Sequence, residues 1–230
     1  MLSPALTLSK KSLAEFTGTF TLVFAGCGSL MVAERFPGAL SHSVIPVIFG
    51  LAVAVMIYAV GHISGAHFNP AVTLAFAAAR HFPFEQVLAY WLAQLTGALA
   101  AIGVLKLILP SGHTYGTTIP AVPDGQALVW EIILTFFLMF VIVSVATDTR
   151  AVGTMAGAAI GGTVMLAAWV GGPVTGASMN PARSLAPAVF EGRLNDMWIY
   201  LLGPCLGAVL AALFYETIRM TPVNGKNNKE

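Results

Sequence analysis

An eleven-residue segment occurs twice in this chain of 230 residues. Residues 65–75 read GAHFNPAVTLA and residues 176–186 read GASMNPARSLA, identical at seven of eleven positions. The likeness extends upstream, where Glu15, Thr19, Phe20 and Leu22 recur as Glu131, Thr135, Phe136 and Leu138. The chain is therefore two halves of one pattern. Composition says which solvent they fold in: 57% of the residues are hydrophobic and 9% charged, where a soluble domain carries about a quarter charged. A spanning helix needs about 20 mostly apolar residues to cross about 30 Å of hydrocarbon. Six runs qualify, roughly residues 12–33, 44–61, 84–109, 127–146, 154–170 and 197–215. Three spans per half is an odd number, so the second copy starts from the opposite side and the halves are related by inversion about an axis in the membrane plane.

After each Asn-Pro-Ala comes an apolar run of only about ten residues, 71–80 and 182–191, which at about 1.5 Å per residue reaches half the hydrocarbon depth. Asn is a strong helix cap and Pro suits the first helical position, where its missing N–H is not needed. Asn69, Pro70 and Ala71, and again Asn180, Pro181 and Ala182, mark two such starts. The Gly-containing stretches before them, 61–68 and 171–179, have no helical periodicity and are expected to enter the membrane as extended backbone. Backbone of that kind survives at membrane depth only where it is buried in protein or lines a wet cavity. The fold expected is an all-α membrane protein with six transmembrane helices plus two re-entrant half-helices in an inverted three-span repeat. It forms one domain over residues 1–230, with repeat 1 at about 10–110, repeat 2 at about 125–218 and a disordered tail at 221–230. Inversion makes the half-helices meet N-terminus to N-terminus near the midplane. Two positive dipole ends then face one point, with the carbonyls of the extended stretches leading to it. Water could turn its oxygen to the two Asn amides and pass, while a cation, hydronium included, would meet a repulsive field. A single Asn-Pro-Ala would be read as a plain helix cap; two at matching positions of an inverted repeat point to a lumen.

The charge balance, 11 Lys and Arg against 10 Asp and Glu, gives no positive surplus for a polyanion, and no nucleic-acid partner is expected. Cys27 and Cys205 lie in apolar runs, read as packing residues, and suggest neither a disulfide framework nor a zinc site. No HExxH, no GxSxG and no paired membrane aspartates occur; the chain is expected to have no catalytic residues, no metal and no cofactor. Short cytoplasmic loops retain Lys and Arg. With both termini inside, Lys10, Lys11, Arg80, Arg150, Arg219, Lys226 and Lys229 fall on that side, and Arg35, Lys106, Arg183 and Arg193 fall outside or within the membrane. That asymmetry puts both termini in the cytoplasm. Arg183 follows the second motif where Val72 follows the first, so the far half carries a charge that its repeat lacks. A charge in the membrane faces water by default and is functional, the alternative being snorkelling to the headgroups. His62 and His67 flank the first re-entrant stretch, either lining the lumen or packing against the facing loop; His42, His81 and His113 fall in loops. A secondary transporter also uses inverted repeats and broken helices, and is the main rival to a channel.

The paired HFNPAVT and SMNPARS motifs, 111 residues apart in a six-span chain, resemble the major intrinsic protein family, the aquaporins and their glycerol-conducting relatives, over nearly the whole chain. The resemblance implies the aquaporin fold and a passive channel in a cell membrane, inner or plasma. It also implies homotetramers with one pore per subunit. Asn69 and Asn180 match the family's pore-centre asparagines, Arg183 its constriction arginine, and Glu15 and Glu131 its paired glutamates that brace the re-entrant loops. Backbone of Gly65, Ala66, His67, Thr175, Gly176 and Ser178 is then expected to line the pore. By family spacing the remaining constriction positions are Phe49, Ala168 and Ala177. Water-selective members place His where this chain has Ala168, so two alanines opposite one Phe and one Arg imply a wider aperture. Water and small uncharged solutes such as glycerol, urea, ammonia or metalloid hydroxides are the implied permeants, with protons and ions excluded; a water-selective pore is the alternative. Glycerol facilitators carry Asp after the second NPAR, where Ser184 stands here. The segment GPVTGASMNPARSLAPA is most similar to nodulin-26-like proteins and their bacterial relatives. The family's mercury-reactive Cys position is held by Ala177, so block through that site is not expected.

Overall fold

The computed structural model describes residues 7–109 and 114–219. Those residues form eight α-helices: α1 Leu8–Arg35, α2 Ile45–Ser64, α3 Pro70–Ala78, α4 Val87–Ile108, α5 Asp124–Thr147, α6 Ala156–Thr175, α7 Pro181–Glu191 and α8 Met197–Ile218. Six are long and apolar enough to cross a bilayer, two of them extended by short 3-10 turns at Phe84–Gln86 and Gly153–Met155. The two short helices, α3 and α7, have 9 and 11 residues. The expected tail, 221–230, lies outside the described residues, as does His113.

Every span but the third overruns its expected boundary at one end or both. α1 starts at Leu8, capped by the Thr7 side chain, and α5 starts at Asp124. More consequentially, the stretches expected to be extended are four residues each. α2 continues to Ser64 and α6 to Thr175, straight through Pro173. Both end where Gly65 (φ 90°) and Gly176 (φ 81°) adopt the left-handed conformation, each N–H bonding back to Gly61 or Gly172. An isolated Gly or Pro does not stop a helix whose last turn is held from outside. Here the hydroxyls of Ser64 and Thr175, at corresponding positions of the repeat, are gripped by Glu15 and Glu131.

Helix pairing repeats the sequence symmetry. α1 packs on α4 as α5 packs on α8, and α2 crosses α6 between the halves. Small residues set each crossing, since glycines let backbones approach where lipid offers no hydrophobic drive between helices. A Cβ on Gly97 would lie 2.5 Å from the Phe16 carbonyl oxygen, and one on Gly207 would overlap that of Ile132. At the α2–α6 crossing Gly50 and Gly161 pack against each other's carbonyl oxygens. Large apolar side chains such as Leu51, Leu88, Leu92, Phe137, Leu166 and Leu210 stay exposed. In water such a surface would drive association; in a bilayer it is the coat turned toward an apolar surrounding. The polar residues are inside, with Glu15, Gln94, Glu131, Thr135 and Ser184 fully buried. The chain is an integral membrane protein.

Candidate pore and selectivity site

Because spans alternate direction, α3, between the second and third spans, comes in from the N-terminal side of the membrane, and α7, between the fifth and sixth, from the far side. Asn69 and Asn180 cap them in extended backbone (φ −154° and −152°). The Asn69 side-chain oxygen accepts from Ala71 N–H at 2.9 Å, and that of Asn180 accepts from Ala182 N–H at 3.0 Å and Arg183 N–H at 3.4 Å. Each amide nitrogen reaches across to the loop of the other half. Asn69 Nδ2 donates to the Met179 carbonyl at 2.6 Å and Asn180 Nδ2 to the Phe68 carbonyl at 2.9 Å. The two helix tips are thus tied by a reciprocal pair, and one hydrogen of each amide has no taker among the described residues. Both asparagines line a single cavity of about 1110 Å³. Pro70, Ala71, Pro181 and Ala182 are buried behind it and do not line it; their work is to start the helices.

The four-residue approaches to the tips share one strained conformation. Positive φ occurs at Gly65, Ala66 and Phe68, and at Gly176, Ala177 and Met179. For a residue with a Cβ such a conformation costs on the order of 1–3 kcal/mol and persists only where surroundings enforce it. Buried carboxylates do so here. Glu15 accepts from Ser64 Oγ (2.7 Å), His67 N–H (2.9 Å), Phe68 N–H (2.7 Å) and Gln94 Nε2 (2.8 Å). Glu131 accepts from Thr175 Oγ1 (2.7 Å), Ser178 N–H (2.9 Å) and Met179 N–H (2.8 Å). With the N–H groups drawn backwards, the carbonyls of Gly65, Ala66, His67, Gly176, Ala177 and Ser178 meet no donor among the described residues. All six residues line the cavity. Thr175 does not: it ends α6, fully buried, its hydroxyl on Glu131 and its carbonyl taking the Tyr200 hydroxyl at 2.7 Å. Its expected place in the pore wall was drawn from an extended stretch that is helical up to that residue.

Phe49, Ala168, Ala177 and Arg183 all border the cavity. The Arg183 guanidinium carbon lies 5.2 Å from the centre of the Phe49 ring, and Nη1 donates to the Gly116 carbonyl at 2.8 Å. Arg183 is 3% exposed, and among the described residues no carboxylate pairs with it. An unneutralised guanidinium and two helix N-termini put positive potential beside Phe49 and at the two helix tips. His62 lines the cavity from α2. His67 reaches it too, but its ring packs among Phe76, Phe82 and Tyr90, with Nδ1 3.1 Å from Thr73 Oγ1.

Several supporting residues escaped the sequence reading. Tyr90 and Tyr200 donate to the carbonyls of Ser64 and Thr175, both at 2.7 Å. Gln94 bridges Glu15 and Thr73. Gly26 gives the Phe49 ring its seat, since a Cβ there would overlap the ring. Gly116, which holds Arg183, belongs to an irregular loop. Extending the repeat beyond the motifs would have pointed to the carbonyls that the tyrosines brace, because Ser64 and Thr175, like Asn69 and Asn180, are 111 residues apart, and Tyr90 and Tyr200 follow at 110. Nothing in the sequence marked Gly116.

Comparison with known proteins agrees with this architecture. The family model described as "Major intrinsic protein" matches residues 3–215. Aquaporin NIP1-1 of Oryza sativa subsp. japonica is 52% identical over 213 residues, spanning 92% of this chain and 75% of its own length. Nodulin-26 of Glycine max is also 52% identical over 213 residues, spanning 92% of this chain and 79% of its own. Among solved structures, the aquaglyceroporin from Plasmodium falciparum superposes with a TM-score of 0.82 at 24% identity, covering 92% of this chain and 97% of that one. That likeness concerns the fold.

Proposed function

The chain belongs to the major intrinsic protein family and is a membrane channel for water and small uncharged solutes; we propose that glycerol, urea, ammonia or metalloid hydroxides are among its permeants and that protons and ions are refused. The observation that carries this reading is the reciprocal tie of Asn69 and Asn180 on one cavity. Each amide keeps a hydrogen for a passing oxygen while both helix tips repel cations. At the helix tips a hydronium or sodium ion would lose its hydration shell against a like-signed field, whereas a neutral molecule passes from one free carbonyl to the next and meets no such barrier. Phe49, Ala168, Ala177 and Arg183 form the constriction in this reading. Its two methyl-sized walls leave room beside the guanidinium for a polyol or amide.

Four copies assemble in a cell membrane, each with its own pore, and both termini are cytoplasmic. The excess of Lys and Arg in the loops on the terminal side supports that orientation. No catalytic group or cofactor takes part, since passage makes and breaks only hydrogen bonds.

Stopped-flow light scattering on proteoliposomes, with water, glycerol and urea gradients and a pH-sensitive dye inside, tests the proposal. Expected are fast water flow, flow of at least one larger solute that stays linear in concentration, and no proton leak. Saturating flux would mean alternating access; fast water with glycerol and urea both refused would make the pore water-selective.

A further inference from the structure

The two halves anchor their half-helices differently, and the difference falls beside Arg183. On the N-terminal side, Thr73 Oγ1 donates to the Asn69 carbonyl at 3.0 Å and receives Gln94 Nε2 at 2.9 Å. That anchor is one span, α4, gripping another helix. On the far side, the residue corresponding to Thr73 is Ser184, and its partner comes from an irregular loop instead. Thr118 Oγ1 donates to Ser184 Oγ at 2.8 Å, Ser184 Oγ pairs with Ser178 Oγ, and Ser178 Oγ donates to the Asn180 carbonyl at 3.0 Å. A carbonyl only accepts, so Ser178 spends its proton on Asn180. Ser184 must then donate to Ser178, and Thr118 to Ser184. Three buried hydroxyls form a one-way chain ending on the residue that caps α7.

The loop that starts this chain also holds the filter. Two residues before Thr118, the Gly116 carbonyl takes Arg183 Nη1. Gly116 is wedged against α1: it has φ 79°, and a Cβ there would lie 3.3 Å from Cys27 Cα. Thr118 is buried against the pore loop, where a Cβ on Gly176 would come within 2.9 Å of its methyl carbon. Farther along each side, Tyr115 N–H donates to Glu191 at the end of α7, and Ala121 N–H to the Val174 carbonyl at the end of α6.

We infer that residues 115–121 are a strap whose Thr118–Ser184–Ser178 hydroxyl chain sets the position of Arg183, making Thr118 and Ser184 positioning residues for solute size selection. This rests on the channel reading above and adds to it a determinant outside the constriction. With the hydroxyl chain intact, Gly116 draws the guanidinium to the wall; with the chain broken, the strap loosens and the guanidinium swings into the aperture. Water tolerates the narrower gap and a polyol does not.

Thr118→Val keeps the shape and removes the proton donor. It is expected to lower the glycerol-to-water permeability ratio by about fivefold, the factor carried by one net hydrogen bond. Thr118→Ser restores the ratio, and Ser184→Ala reproduces the loss. The double variant Thr118→Val with Ser184→Ala loses no more than either single, because both cut one chain. An unchanged ratio in Thr118→Val, equal loss in the Val and Ser variants, or full additivity in the double variant would overturn the inference. A wild type that passes no neutral solute would instead refute the channel reading. Crystal structures of wild type and Thr118→Val test the strap whatever permeates: Arg183 displaced from the Gly116 carbonyl supports it, and Arg183 unmoved overturns it.

Discussion

Glu15 and Glu131 are carboxylates with almost no access to solvent, and each spends both oxygens on a loop that could not hold its shape alone. Replacing Glu131 by Gln leaves one oxygen where two were used and turns an N–H2 group toward a backbone N–H. The expected loss is about 1.5–3 kcal/mol, the range for hydrogen bonds to a charged group, read as a lower melting temperature in detergent. An unaltered melting temperature would mean that the carboxylate does not hold the loop. Ala168 poses the opposite question, of space rather than support. Ala168→His narrows the lumen and adds a hydrogen-bonding wall, so glycerol and urea flux should fall further than water flux. Equal loss of all three would place residue 168 outside the constriction.

At the scale of helices, the α2–α6 crossing joins the two halves around the cavity, and its spacing is set by glycine. A Cβ on Gly50 would overlap the Gly161 carbonyl oxygen and come within 2.9 Å of the Met165 side chain, whereas one on Gly162 meets nothing within 4 Å. Gly50→Ala is expected to cost about 1–3 kcal/mol as the crossing is forced apart. Gly162→Ala should be neutral, or stabilising by up to about 1 kcal/mol through helix propensity. Thermal unfolding of the two variants separates packing from propensity: equal shifts would remove the crossing from the account. The same contrast explains why α2 and α6 run past the glycines and Pro173 in their last turns. A breaker acts locally, and the grip of Glu15 and Glu131 on Ser64 and Thr175 comes from another helix.

For the molecule as a whole, the cavity, both helix tips and Arg183 all belong to one chain. Each subunit of an assembly should therefore conduct alone. Co-reconstituting wild type with Ala168→Trp, whose indole fills the lumen, should give water flux proportional to the wild-type fraction; a steeper fall would mean that the pore needs its neighbours. The sequence by itself determined the parts that follow from periodicity, length and repetition: six spans, an inverted pair of halves, two helix starts too close to the next break to cross. It also marked Asn69 and Asn180 as repeated helix starts and Arg183 as a charge too costly in the membrane to be incidental, while the repeat and the family resemblance together marked the paired glutamates. Tertiary structure alone decided where the helices stop, that Thr175 is a brace, and that Gly116 and Thr118 stand behind Arg183. Those outcomes depend on hydrogen bonds between residues dozens of positions apart. Such bonds leave no periodic trace in the chain; they exist only once folding has brought a loop within hydrogen-bond distance of a hydroxyl and of a guanidinium.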